Sequence, residues 1–166
     1  MTDSSQVCVY FGPELGRYGF GQGHPFGPDR LGAFWSTLKA RGLEQAITVV
    51  GPVLAEPATI ELFHRPEYVA FVAQASREGT GFLDYGDTPA FPGVFEAASY
   101  VVGSAVDAAD RLLSGHCRRA FVPIAGLHHA RRDRAAGFCV FNDCGVVIEH
   151  LRARHGLRRI AYVDID

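Results

Sequence analysis

Two stretches of this 166-residue chain carry residue types that could do chemistry. The first, GLHHARRDRAAGFCVFNDCG at 126–145, places two adjacent histidines in a loop and follows them with Gly-Phe-Cys. Imidazole titrates near neutral pH, so His128 and His129 could each act as general acid or base if a carboxylate oriented the other ring nitrogen. The second, VDID at 163–166, sets Asp164 and Asp166 two residues apart, on the same face if the segment is a strand. Two carboxylates at the end of an apolar strand repel one another unless a cation or a hydrogen-bond donor compensates. A metal would do this, as would a histidine, and Asp164 is the available partner for the histidine pair. The plain alternatives are solvated loop histidines and a solvated strand end. Gly137 and Phe138 could wall the same cleft, the glycine admitting a close approach, although an ordinary core phenylalanine explains the ring equally well.

The surrounding pattern says how these groups could meet. RAFVPIA (119–125) reads as a buried strand, Asn142 or Asp143 as the cap of a helix running to about His155, and RRIAYVDID as a second buried strand. Such a βαβ unit is parallel and right-handed. It brings the loop after its first strand and the end of its second to one sheet edge, where open α/β sheets place ligands. Upstream, VCVYF (7–11) and AITVV (46–50) read as strands. Asp29 could cap a helix whose Leu31, Phe34, Trp35 and Leu38 share a face and which Gly42 ends. ELFHR, the stretch after Pro66 and the segment from Phe95 to Leu113 read as helices, and 79–93 as a loop.

Composition narrows the function classes. With 48% hydrophobic and 20% charged residues the chain can bury a sizeable core, and its formal charge of -2 offers no basic field for nucleic acid. Cys8, Cys117, Cys139 and Cys144 form no CxxC pair and read as reduced thiols, which makes a zinc finger a poor reading. MTDSSQVCVYFG lacks the pattern of a signal peptide, and no apolar run approaches membrane-spanning length, so a cytoplasmic location is expected. GFGQG lacks the spacing of a dinucleotide fingerprint and runs into His24-Pro25.

GQGHP (21–25), GDTP (86–89), AGLHHA (125–130), GFCVFND (137–143) and YVDID (162–166) occur in an order and spacing that resemble the zinc-dependent histone deacetylase family, with the bacterial acetoin-utilisation (AcuC-like) branch the nearest in look. LHHA followed by GFCxxND is the specific part of that resemblance. It implies a three-layer αβα, arginase-like fold with a parallel sheet, and hydrolysis of acetyl-lysine amides at a zinc-bound water.

Carried over by position, the resemblance makes His128 and His129 the tandem catalytic histidines, the second serving as base and then acid. Asp166 becomes a zinc ligand, and Asp164 the aspartate that orients His128 and helps hold a structural potassium ion. Gly137 and Phe138 become the tube wall and Asp87 the rim residue that grips substrate. Arg30 and Gly126 fall around an internal pocket. The substrate implied is an acetylated protein or a small acetyl-amine such as an acetylpolyamine.

The family pattern continues past Asp166 with further zinc ligands and a tyrosine. Residues 1–166 are therefore expected to be the amino-terminal part of a single, incomplete deacetylase domain. The remaining ligands would come from a carboxy-terminal half or a partner chain. A non-catalytic binding module is the alternative from another class.

Overall fold

The computed structural model describes residues 7–21 and 23–166; residues 1–6, which open the amino-terminal stretch, and Gln22 of the GQGHP motif lie outside the described residues. In chain order the elements are β1 (Val7–Tyr10), α1 (Pro13–Gly16), α2 (Arg30–Ala40), a 3-10 turn (Leu43–Ala46), β2 (Thr48–Val50), α3 (Pro57–Ile60), α4 (Pro66–Glu78), α5 (Val94–Leu113), β3 (Arg119–Phe121) and α6 (Asp143–His155). The strands form a parallel sheet in the order β2-β1-β3, with Cys8 opposite both Thr48 and Ala120. This is the expected α/β architecture of a parallel sheet with helices.

Successive residues of a strand face opposite sides of the sheet, so a strand buried at every position must be covered on both. Cys8, Val9 and Tyr10 are all buried, which makes β1 the covered centre of the sheet. Its buried residues join those of α4, α5 and α6 in a continuous core that contains Val72, Val94, Val101, Val102 and Val146. Alanine, serine and glycine along α5 let other backbone come close: the Ala55 N–H reaches the Ser99 carbonyl and the Val53 N–H the Ser104 hydroxyl, both at 3.1 Å. On α2, Leu31 and Leu38 are buried and Trp35 stacks on Phe11 with ring centroids 4.0 Å apart.

Besides RAFVPIA, expected as a buried strand but a strand only over Arg119–Phe121 and not buried there, three local expectations need correction. Asp29 stands at the N-cap of α2 but its side chain makes no capping bond. The helical turn before Pro66 is Pro57–Ile60, started by its own proline, while ELFHR is mostly turn. The third concerns residues 158–166, expected as a buried strand: they join no ladder and are mostly exposed, with Ile165 at 97%. β3 is only three residues long, so pairing along its free edge would offer few hydrogen bonds against the entropy of ordering a tail. Ile160, Ala161 and Tyr162 instead line an apolar groove with Ala108 of α5 and Val147 and Leu151 of α6.

No described helix is long and apolar enough to cross a membrane. All four cysteines are free thiols. Burial pushes the Cys139 thiol up to about 11, far from the thiolate a metal would need.

Candidate active site

The first turn of α6 holds the histidine loop. Asn142 caps the helix by accepting the Gly145 N–H at 2.8 Å, and its amide nitrogen donates to the carbonyls of His128 at 2.9 Å and Ala130 at 3.0 Å. The next residue, Asp143, is buried and accepts the N–H groups of Leu127 at 2.6 Å and Gly126 at 3.0 Å. Burial pushes its carboxyl up, while those backbone donors pull the other way. The two candidates for one cap thus divide the work: Asn142 serves helix and loop, and Asp143 serves the loop.

Although 157–166 is not a strand, it delivers its carboxylates to the place the strand reading required. The rings of His128 and His129 lie 4.2 Å apart at 69°. Asp164 Oδ2 stands 3.3 Å from His128 Nδ1, and Asp166 Oδ2 stands 3.4 Å from the Nε2 atoms of both His128 and His129. The aspartates are exposed rather than buried, so their mutual repulsion is partly relieved by water. Asp164 is held below the usual carboxylate range first by the Asp166 N–H it accepts at 3.1 Å, against slight desolvation, and then by the Tyr162 hydroxyl at 3.1 Å and the facing imidazoles.

Six of the expected residues line one cavity of about 240 Å³: Arg30, Gly126, His128, His129, Gly137 and Asp166. Arg30 lies over the Phe26 ring, 4.4 Å from its centroid. Gly137, at φ 53°, packs so closely on the His129 ring that a Cβ there would come within 2.9 Å of its Cδ2. Phe138 and Asp87 are outside this lining and are joined to each other through His24. The His24 ring meets the Phe138 ring edge-on at 4.5 Å, and His24 Nε2 lies 3.2 Å from the Asp87 carbonyl.

Phe138 is the one described non-glycine residue with positive φ, at 68°, a conformation costly for a residue bearing a Cβ. It is held from several directions. The buried Tyr18 hydroxyl donates to the Phe138 carbonyl at 2.7 Å and accepts the Val140 N–H at 3.0 Å, and Thr88 Oγ1 accepts the Phe138 N–H at 3.2 Å. Thr88 is itself fixed by Asp84, which accepts the Gly86, Asp87 and Thr88 N–H groups and the Thr88 hydroxyl. The sequence reading missed Tyr18, Thr88 and Asp84. Only Asp84, ahead of a Gly-Asp-Thr-Pro turn, carried a recognisable local signal.

His64 was also missed. It is 2% exposed, and its Nε2 accepts the Asn142 N–H at 2.9 Å. Burial lowers its imidazole to about 4, so it is a neutral acceptor behind α6.

Comparison with known proteins shows the family and the fold. Residues 24–166 match the histone deacetylase domain family. The chain is 36% identical to acetoin utilization protein AcuC of Bacillus subtilis, covering 100% of this chain and 44% of that protein. It is 34% identical to histone deacetylase 19 of Arabidopsis thaliana, with 97% and 33% covered, and 32% identical to histone deacetylase RPD3 of Saccharomyces cerevisiae, with 99% and 40% covered. The solved structure of the HDA15 HD domain shares the fold, with a TM-score of 0.80 at 24% identity over 87% of this chain and 42% of that one. The chain thus spans less than half the length of these relatives.

Proposed function

The chain belongs to the histone deacetylase family, and from that premise we propose that it supplies one part of the active site of a zinc-dependent deacetylase that hydrolyses acetyl-lysine amides in the cytoplasm. The observation that carries the reading is the meeting of His128 Nδ1 with Asp164 at 3.3 Å, while one Asp166 oxygen faces both Nε2 atoms at 3.4 Å.

The donor set fits zinc: Asp166 offers an exposed carboxylate oxygen at the cavity, beside the imidazole nitrogens of His128 and His129, in line with the preference of that ion for oxygen and nitrogen. Asp166 would hold it, together with ligands outside residues 1–166. When bound, zinc supplies Lewis-acid polarisation of the amide carbonyl and an acidified water. Potassium fits less well. The Asp164 oxygens already accept from the Asp166 N–H and the Tyr162 hydroxyl, and no step of the proposed reaction depends on that ion.

The chain's own residues have separable tasks in this proposal. Asp164 fixes the orientation of the His128 ring through its contact with Nδ1. His129, half-exposed at the cavity, takes the proton of the attacking water and returns it to the departing amine. Phe138 and Gly137 flank the path of the acyl-lysine chain, whose methylenes and neutral amide cost little to bury. Asp87 grips the substrate backbone at the rim, and Arg30 and Gly126 shape the inner end of the cavity.

The test is hydrolysis of a fluorogenic acetyl-lysine peptide by the protein that carries this sequence, metal-stripped and then given zinc, in wild-type, His129→Ala and Asp166→Asn forms. Zinc-restored turnover lost in both variants is the expected result. Turnover unaffected by either substitution would overturn the assignment. An acetylated polyamine run beside the peptide distinguishes the small-amine substrate.

A further inference from the structure

A second cluster of metal-ligating side chains stands apart from the histidine pair. Asp110, in the last turns of α5, places Oδ1 2.8 Å from His150 Nε2 and 2.8 Å from His155 Nε2, joining α5 to α6. We propose that Asp110, His150 and His155 form a separate site for zinc or another borderline first-row divalent cation, one that clamps the end of α6 to α5.

The three ligand atoms lie within 4.8 Å of one another. Around a tetrahedral ion with bonds of about 2.0–2.1 Å, neighbouring ligand atoms sit roughly 3.3 Å apart. Spreading the two contacts by a few tenths of an ångström therefore opens the space between them to a cation. Two imidazoles and one carboxylate suit zinc, cobalt or nickel better than magnesium or calcium, which prefer all-oxygen surroundings. One Asp110 oxygen meets both imidazole nitrogens at hydrogen-bond distance. A cation would replace those two contacts with three bonds.

Placement favours it as well. His150 is 12% exposed and so has a restricted ring, while Asp110 at 43% and His155 at 34% leave an open side for entry and for a water ligand. The site lies by the carboxy-terminal ends of both helices, where the free carbonyls carry partial negative charge. Arg152 and Arg154 share the last turn of α6 and oppose a cation, whereas the guanidinium of Arg111 is drawn to Asp107 at 2.6 Å instead of to Asp110. His155 is the last residue of α6, and Gly156, left-handed at φ 65°, starts the segment that delivers Asp164 and Asp166. A cation at Asp110 would hold the point from which that segment departs, without sharing a residue with it.

The experiment uses the metal-stripped protein in an Asp166→Asn background, so that the proposed catalytic site is already disabled and the result does not depend on that reading. Co2+ uptake is followed by equilibrium dialysis and visible absorption, and thermal unfolding is measured with and without Zn2+. One equivalent of Co2+ and a rise in Tm of about 5 °C at saturating Zn2+ are expected. Both should disappear on adding the half-exposed His155→Gln, and likewise with His150→Gln. No uptake in the Asp166→Asn protein, or uptake that survives both histidine substitutions, would show that Asp110 only pairs with two imidazoles and would overturn the proposal.

Discussion

The amide nitrogen of Asn142 donates to the backbone carbonyl of His128 at 2.9 Å, so the residue that starts α6 also fixes the loop of the histidine pair. Replacing it with alanine removes a helix cap and leaves the His128 and Ala130 carbonyls without this donor. We expect Asn142→Ala to cost about 1–3 kcal/mol in denaturant unfolding. Turnover should fall even where the variant is fully folded, and a folded variant with wild-type kcat/KM would refute the coupling.

Gly137 and His129 are in van der Waals contact, and a Cβ at 137 would press on the ring at 2.9 Å from Cδ2. In Gly137→Ala the His129 ring must move, because a rotated imidazole costs less than moving the backbone. A drop of at least about 10-fold in kcat is expected, since proton transfer depends on hydrogen-bond geometry. Steady-state kinetics together with Tm separates this effect from a general loss of stability.

The Tyr18 hydroxyl holds both sides of the strained Phe138 turn. Tyr18→Phe leaves a buried N–H and a carbonyl without that partner and should cost about 1–3 kcal/mol. Because Phe138 is proposed to wall the substrate path, KM for an acetyl-lysine peptide should rise more than kcat falls.

His64 makes the fold acid-sensitive. Its imidazole is lowered by burial to about 4, whereas the unfolded chain takes up the proton at the ordinary value of 6.5. Folding is therefore favoured above the unfolded value, and that advantage is lost as pH falls from about 6.5 to about 4, by up to about 3 kcal/mol. Urea unfolding at pH 7 and pH 4.5 should show a smaller loss for His64→Gln than for wild type, and equal losses would remove His64 as the cause.

Local signals in the sequence determined a large share of this protein. Continuous apolar runs marked β1 and β2, Pro66 and the loop from residue 79 bracketed α4, and a cap at Asn142 or Asp143 with an end near His155 bracketed α6. These are decided by near neighbours: a ring that sets φ, a side chain that caps, a glycine that turns left-handed. The pairing of His128 with Asp164 was also legible, because the order of strand, loop, helix and returning segment constrains where its ends can meet.

Only the tertiary structure decided the rest. Residues 158–166 have the composition of a buried strand, yet burial requires a partner edge and a covering layer; instead Ile160, Ala161 and Tyr162 line the groove between α5 and α6, and Asp164 and Asp166 reach the histidine pair. The Tyr18 and Thr88 supports of Phe138, the bond from Asn142 to His64 and the contacts of Asp110 with His150 and His155 join positions from 40 to 120 apart. No spacing along the chain encodes such contacts. They exist because packing α4, α5 and α6 on one core leaves buried polar atoms that must find partners wherever the fold puts them.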